Sequence, residues 1–128
     1  MPKTHLHLGI DIGSVSIAVA LMDHEQRLLH HGYTFHKGRI TEHLLEFLKD
    51  IEPSSVSTIA YTSSCPSIIK YGQKFDSRIA YISAAKHFHP GIQSLLIIGA
   101  EKFGLVTYWE GQQVSCYDCH DGPEPEDD

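Results

Sequence analysis

Hydrophobic positions in the first third of the chain form short runs separated by polar turn residues, and residues 6–12 alternate weakly between apolar and polar positions. Residues 6–12 (LHLGIDI) and 15–22 (VSIAVALM) are separated by Gly13-Ser14, and a second turn at 23–26 leads to residues 27–35. Apolar, β-branched runs joined by short turns are typical of antiparallel strands. The pattern therefore predicts a three-stranded antiparallel meander at the start of the fold.

The spacing of apolar residues changes after residue 39. Residues 40–51 have them three and four apart, which predicts an amphipathic helix that ends before Pro53. The later elements predicted are a strand at 56–61, a short helix from Pro66 to Gly72, a longer helix capped by Asp76 or Ser77 and ending near Phe88, and strands at 94–98, 103–109 and 113–116. This order predicts an α/β fold in which helices cross over between strands.

Negative charge is concentrated at the end of the chain. The net charge is −6, but six of the 16 acidic residues follow position 117. The ten acidic residues before that position balance the ten Lys and Arg residues of the chain. A balanced body has no basic stripe for a nucleic-acid backbone, which argues against nucleic-acid binding. The sequence contains no run of about 20 apolar residues, which a membrane-spanning helix requires, and no leader is recognised. We therefore expect a cytoplasmic protein. Residues 118–128 are expected to be an acidic, disordered tail.

Asp11 is the first residue with a candidate chemical role, because it lies beside the turn of the first predicted hairpin. Gly13 would let an anion approach the backbone, and the N–H groups around Gly13 and Ser14 could form a phosphate nest. A carboxylate repels phosphate unless Mg²⁺ or an activated water lies between them. The alternative is an ordinary hairpin turn, since Asp, Gly and Ser are common turn residues.

Residues 8–16 (LGIDIGSVS), followed by an apolar strand and Asp23, resemble the first phosphate motif of the superfamily of sugar kinases, actin and heat-shock chaperones. Within it, the chain resembles the N-terminal part of the ATP-dependent activators of 2-hydroxyacyl-CoA dehydratases, the BcrA/BadF type. The other matching stretches are residues 84–91 (AAKHFHPG) and 95–101 (LLIIGAE). The resemblance implies a ribonuclease H-like, actin-like ATPase domain that couples ATP hydrolysis to electron transfer toward a dehydratase or related reductase.

The resemblance also implies site residues, carried over position by position. Asp11 would be the catalytic acid on the metal or water side, holding Mg²⁺ through water, and ATP or ADP would be the cofactor. The phosphates would be contacted by Gly13, Ser14 and Ser16 from the first motif and by Gly99 and Glu101 from the second. Three positions depart from the second motif: Ile97, Ala100 and Lys102.

The resemblance divides the chain into a first actin-like subdomain, residues 1–92, and the opening strands of an incomplete second one, residues 93–117. It implies that the chain is either an excised fragment or a natural truncated relative. Two functions stay open. One is the nucleotide-binding part of an activator-type ATPase, with a second copy and a dehydratase or reductase component as partners. The other is a non-catalytic interaction or regulatory module, which the three departures favour.

The cysteines near the end of the chain allow several interpretations. Residues 116–120 read C-x-x-C-H, the pattern for covalent haem attachment, while no exported-protein features accompany it. The resemblance implies instead that Cys119 is a ligand of a [4Fe–4S] cluster held between two subunits. A zinc site from Cys116, Cys119 and His120, or two solvent-exposed thiols, are further possibilities. The odd number of three cysteines argues against a secreted disulfide scaffold.

Overall fold

Strands β1 (Leu6–Ile12) and β2 (Ser16–Met22) lie in the middle of a five-stranded sheet. They pair antiparallel with Ile12 opposite Ile17, and β2 pairs antiparallel with β3 (Leu28–Phe35). The predicted meander is therefore confirmed. The computed structural model describes residues 5–99, 102–109 and 112–120.

Strands β4 (Val56–Thr62) and β5 (Gln73–Phe75) complete this sheet on the other side of β1. The strand order is β3-β2-β1-β4-β5, and β4 runs parallel to both of its neighbours. The sheet is therefore mixed, as expected for a ribonuclease H-like α/β fold. The predicted short helix from Pro66 to Gly72 is wrong: this segment forms turns that lead into β5, which the sequence analysis did not predict.

The core lies on one face of this sheet. Every second residue of β1 and β2 is buried: Leu6, Leu8, Ile10, Ile12, Ile17, Val19 and Leu21. Helix α1 (Ile40–Leu48) packs Ile40, Leu44, Phe47 and Leu48 against these residues. Burial of aliphatic side chains contributes about 1.5–3 kcal/mol each to the free energy of unfolding. Leu45, which the helical spacing placed on the apolar face, is exposed.

Helix α1 approaches β3 so closely that position 32 has no room for a side chain. A Cβ atom built on Gly32 would lie 2.0 Å from Cε1 of Phe47. Real Cβ atoms do not approach a ring carbon this closely, so the ring of Phe47 lies directly over the backbone of β3. Gly32 is thus required by packing rather than by a special backbone conformation.

The second compact unit begins after Ser77, where the chain divides in two. Helix α2 (Ser77–Phe88) has no buried residue, and β6 (Ser94–Ile98), β7 (Lys102–Trp109) and β8 (Gln112–His120) form an antiparallel sheet in that order. The division falls one helix before the predicted boundary at residue 92. Strand β8 extends to His120, three residues into the segment predicted as a tail, and residues 121–128 lie outside the described part.

The β2–β3 turn is built around the carboxylate of Asp23. Its Oδ1 accepts the backbone N–H groups of Glu25 and Arg27, each at 2.9 Å, and its Oδ2 accepts Nε of Arg27 at 2.8 Å. The backbone N–H of Arg27 is the main cause that holds the pKa of Asp23 below its usual value, against the opposing effect of burial. The charged carboxylate therefore stabilises this turn.

Gly32→Ala should destabilise the first unit by about 1–3 kcal/mol, because the new methyl group overlaps the ring of Phe47. In a Phe47→Leu background the ring is gone, so the same substitution should cost much less. A double-mutant cycle from urea titrations, followed through the amide NMR signals of β1 and β2, measures both costs. Equal costs in the two backgrounds would contradict the close contact.

Asp23→Asn should make the protein less stable at neutral pH. A carboxyl group whose pKa is lowered by folding stabilises the folded state at pH values above its usual pKa. This stabilisation is lost as the pH falls through the lowered pKa of the folded state. The difference in Tm between wild type and variant should therefore shrink on acidification below about pH 4. Glu25→Gln removes an exposed charge from the same turn and serves as the control, with a smaller effect expected.

Candidate functional site

Asp11 lies at the carboxyl end of β1, beside the carboxyl end of the parallel strand β4. The register pairs Ile10 with Tyr61, so the next residues of the two strands are neighbours. The Oγ1 hydroxyl of Thr62 donates a hydrogen bond of 2.7 Å to Oδ1 of Asp11. The Ser64 hydroxyl lies 3.5 Å from the same oxygen. The parallel pairing thus brings one carboxylate and two hydroxyl groups to one edge of the sheet.

Thr62 is the buried member of this group, with 6% of its surface exposed. Its Oγ1 also lies 3.1 Å from the Ser64 hydroxyl and 3.6 Å from Sγ of Cys65. Cys65 is half-buried and packs against the core, with its thiol 3.6 Å from the carbonyl oxygen of Ile10. A hydroxyl that is held in place by burial orients the carboxylate it donates to. Thr62 therefore sets the direction of the Asp11 carboxylate.

The turn after β1 presents backbone N–H groups to solvent, but not the set that the sequence suggested. The N–H of Gly13 donates to the carbonyl oxygen of Ser16 at 2.8 Å, so it is used inside the hairpin. Ser14 and Val15 are exposed, and within the described residues their N–H groups donate to no other group. Two successive solvent-facing N–H groups form the simplest anion-binding arrangement of a turn. The N–H groups that remain available for the predicted nest are therefore those of Ser14 and Val15, and the nest itself stays a prediction.

Gly13 has free space around it. A Cβ atom at this position would lie 3.8 Å from Oγ of Ser16 and 3.9 Å from its carbonyl oxygen, which are ordinary contacts. Its φ is not positive either, unlike that of Gly38 and Gly72. Neither packing nor conformation of the chain itself thus requires glycine here. A close approach by something outside the chain would explain the choice of residue.

His36, for which the sequence predicted no role, holds this turn from the other side. It follows β3, and 6% of its surface is exposed. Its backbone N–H donates to the carbonyl oxygen of Val15 at 3.0 Å, and its Nε2 lies 3.0 Å from the carbonyl oxygen of Gly13. No local pattern could have identified this residue or Thr62, because both contacts join segments that are distant in sequence.

The second predicted phosphate motif lies in the other compact unit. Gly99 is exposed directly after β6, and Ile97 is half-buried within that strand. Ala100 and Glu101 lie outside the described residues, so the role predicted for Glu101 stays a prediction. The structure brings together Asp11, Gly13, Ser14 and Ser16 of the predicted site, since all four belong to the first hairpin.

The C-x-x-C-H residues, 116–120, all lie in β8 and pair with β7. Cα atoms three residues apart in an extended strand are separated by about 10 Å. A disulfide joins Cα atoms at roughly 4.4–6.8 Å, so this backbone excludes a bridge between Cys116 and Cys119. Where side chains are described, no group of three or more His, Cys, Asp and Glu could hold a metal ion. The haem, zinc and iron–sulfur hypotheses for these residues stay predictions.

No protein family and no curated protein matches the chain in sequence. Among solved structures, it is similar to the activator of the 2-hydroxyisocaproyl-CoA dehydratase from Clostridium difficile with bound ADPNP, at a TM-score of 0.75 and 10% identity over 91% of this chain and 46% of that one. It is also similar to component A of the (R)-2-hydroxyglutaryl-CoA dehydratase from Acidaminococcus fermentans, at a TM-score of 0.74 and 13% identity over 91% of this chain and 48% of that one.

An exopolyphosphatase from Cytophaga hutchinsonii is similar as well, at a TM-score of 0.67 and 14% identity over 91% of this chain and 51% of that one. The chain thus spans about half the length of each of these structures. Likeness at such low identity shows the fold alone. The chain has the actin-like ATPase fold, as its sequence resemblance implied, and none of its helices in the described residues is long and apolar enough to cross a membrane.

Thr62→Val should lower the free energy of unfolding by about 1.5–3 kcal/mol, since it removes a hydrogen bond to a charged group. Thr62→Ser keeps the hydroxyl and should cost less. In an Asp11→Ala background the valine substitution should cost little, because the acceptor is already gone. Urea titrations followed through the amide NMR signals of β1 and β4 give the coupling. No coupling between the two sites would contradict the orienting role of Thr62.

Proposed function

We propose that this chain is the nucleotide-binding portion of an activator-type ATPase, which couples ATP hydrolysis to electron transfer toward a 2-hydroxyacyl-CoA dehydratase or a related reductase. The observation that carries the proposal is the oriented carboxylate of Asp11 near the end of β1, followed by a turn in which the N–H groups of the exposed residues Ser14 and Val15 are not used by the described part of the chain. The fold supports it, since two similar structures are components of such dehydratase systems and one was solved with ADPNP.

The residues around Asp11 fit a magnesium nucleotide. Mg²⁺ prefers oxygen ligands and is commonly bound by one or two carboxylates together with substrate phosphates. When bound, it would neutralise phosphate charge that Asp11 alone would repel. The N–H groups of Ser14 and Val15 and the hydroxyl of Ser16 would bind phosphate oxygens, and Gly13 would let them approach the backbone. Asp11 would then hold the metal through water or orient the attacking water.

The electron-transfer part of the proposal requires more than one chain. A [4Fe–4S] cluster takes four thiolates, and this chain has three cysteines in all. Cys65 packs against the core of the first unit, and the resemblance implies Cys119, in β8, as the cluster ligand. A cluster would therefore need a second copy of the chain. The dehydratase or reductase component belongs to this proposal as the electron acceptor.

The second candidate function is a non-catalytic interaction or regulatory module with the same fold. Ile97 favours it, because a half-buried aliphatic side chain stands where the resemblance expects an acid. Ala100 and Lys102 depart from the same motif. In this case the fold would persist without hydrolysis, and the hairpin with Asp11 would be a structural remnant.

Calorimetric titration with Mg·ATP and Mg·ADP separates these two functions. Because one carboxylate and one turn supply the contacts named here, we expect weak binding, with a Kd of order 0.1–1 mM. Asp11→Asn keeps the shape and the acceptor oxygen but removes the charge, so it should weaken Mg·ATP binding at least tenfold, or about 1.4 kcal/mol. No heat at millimolar nucleotide would favour the non-catalytic module.

Gly13→Ala is the matched variant for the phosphate contact. The free chain has room for the methyl group, so the Tm should stay within about a degree of wild type. Nucleotide affinity should nevertheless fall, because the methyl group occupies the space through which a phosphate approaches Ser14. Unchanged affinity in a folded Gly13→Ala protein would mean that the nucleotide does not contact this turn.

A further inference from the structure

Both ring nitrogens of His36 are engaged, and their partners define its tautomer. The backbone N–H of Gly38 lies 3.0 Å from Nδ1, and an N–H group can only donate, so Nδ1 must be the acceptor. The proton of the neutral ring is then on Nε2, which donates to the carbonyl oxygen of Gly13 at 3.0 Å. The ring thus connects the loop after β3 to the turn after β1.

This hydrogen bond determines which way a neighbouring N–H group points. In a planar trans peptide, the C=O and N–H groups are antiparallel, and the described residues contain no cis peptide. With the Gly13 carbonyl directed at His36, the N–H of Ser14 is directed away from it. The backbone N–H of His36 binds the Val15 carbonyl in the same way, which holds the next part of the turn.

We propose that His36 is a positioning residue that holds the β1–β2 turn in its anion-binding conformation, acting through the bond from its Nε2 to the Gly13 carbonyl. The inference rests on the proposed nucleotide site, whose phosphate-binding N–H groups belong to Ser14 and Val15. His36 touches neither phosphate nor metal in this proposal. It fixes the peptide plane between Gly13 and Ser14, so that the N–H group faces the ligand before the ligand arrives.

The burial of His36 supports a fixed role of this kind. With 6% of its surface exposed, the ring has little water to replace a lost partner, so each of its two hydrogen bonds is needed. Among the described residues, the two hydrogen-bond partners of the ring are the backbone groups of Gly13 and Gly38.

Two substitutions separate the two hydrogen bonds. The amide of Gln reaches the position of Nε2, so His36→Gln can still donate to the Gly13 carbonyl. The amide of Asn is shorter and its oxygen replaces Nδ1, so His36→Asn can still accept from Gly38 but no longer reaches Gly13. The variants differ by one methylene group, and comparable losses of stability are expected for both.

Titration with Mg·ATP, followed by amide NMR, should show affinity within about threefold of wild type for His36→Gln and at least fivefold weaker for His36→Asn. The amide signals of Ser14 and Val15 in the free protein should shift in His36→Asn and stay near wild type in His36→Gln. Equal affinities in the two folded variants would overturn the positioning role. So would reversed affinities, with His36→Gln the weaker binder.

A measurement on the unmodified protein tests the same proposal without nucleotide. Imidazole ¹⁵N shifts at neutral pH should identify His36 as the Nε2-protonated tautomer. A ring protonated at Nδ1 would overturn the proposal, whatever the variants do. If wild type binds no nucleotide while the tautomer and the amide signals of the free protein are as expected, the proposed function fails but His36 still holds the turn. If wild type binds nucleotide and the two variants bind equally, only the positioning role of His36 fails.

Discussion

The parallel pairing of β1 with β4 is the constraint on which the candidate site depends. It brings Asp11 beside Thr62, which is 51 residues later in the chain, and aligns the carboxyl ends of both strands at one edge of the sheet. This pairing is possible only because β2, β3 and α1 lie between the two strands in sequence. Alternate residues of β1 belong to the core, so the same strand that is anchored by Ile10 and Ile12 presents Asp11 on its other face. Burial of one face thus fixes the position of Asp11 on the other.

Much of the first sheet could be predicted, because its signal is local. Apolar runs rich in β-branched residues indicate the strands, and a turn of Gly and Ser separates two strands of similar length. The failures also have physical reasons. Residues 66–72 contain a proline suited to a helix start, yet they form turns, and Gly72, with a φ of +103°, bends the chain against the backbone of Ile59 as it enters β5. The three residues of β5 are too few to show a period.

The sequence predicted Asp11 and the turn after it as parts of the candidate site, but it did not predict the residues that hold them. Asp11 and Gly13 are neighbours in sequence, and their types alone indicate anion or metal chemistry. Thr62 and His36 contribute through hydrogen bonds across the fold, and nothing in their own surroundings in sequence marks them. The hydrogen bonds also show that the N–H of Gly13 closes the hairpin, whereas those of the exposed residues Ser14 and Val15 are not used in this way. Which N–H group of a turn is used inside the fold can be read only from coordinates, because the sequence does not show which acceptor each donor meets.

The open space at Gly13 has a consequence for how this protein can change over generations. Since the free chain accommodates a larger residue there, folding does not require the glycine, and binding of the proposed nucleotide would be the constraint that keeps it. A lineage that stopped using such a ligand would therefore lose its recognition by neutral drift while its sheets stayed intact. The amount of folded protein in the cell would not change with that loss.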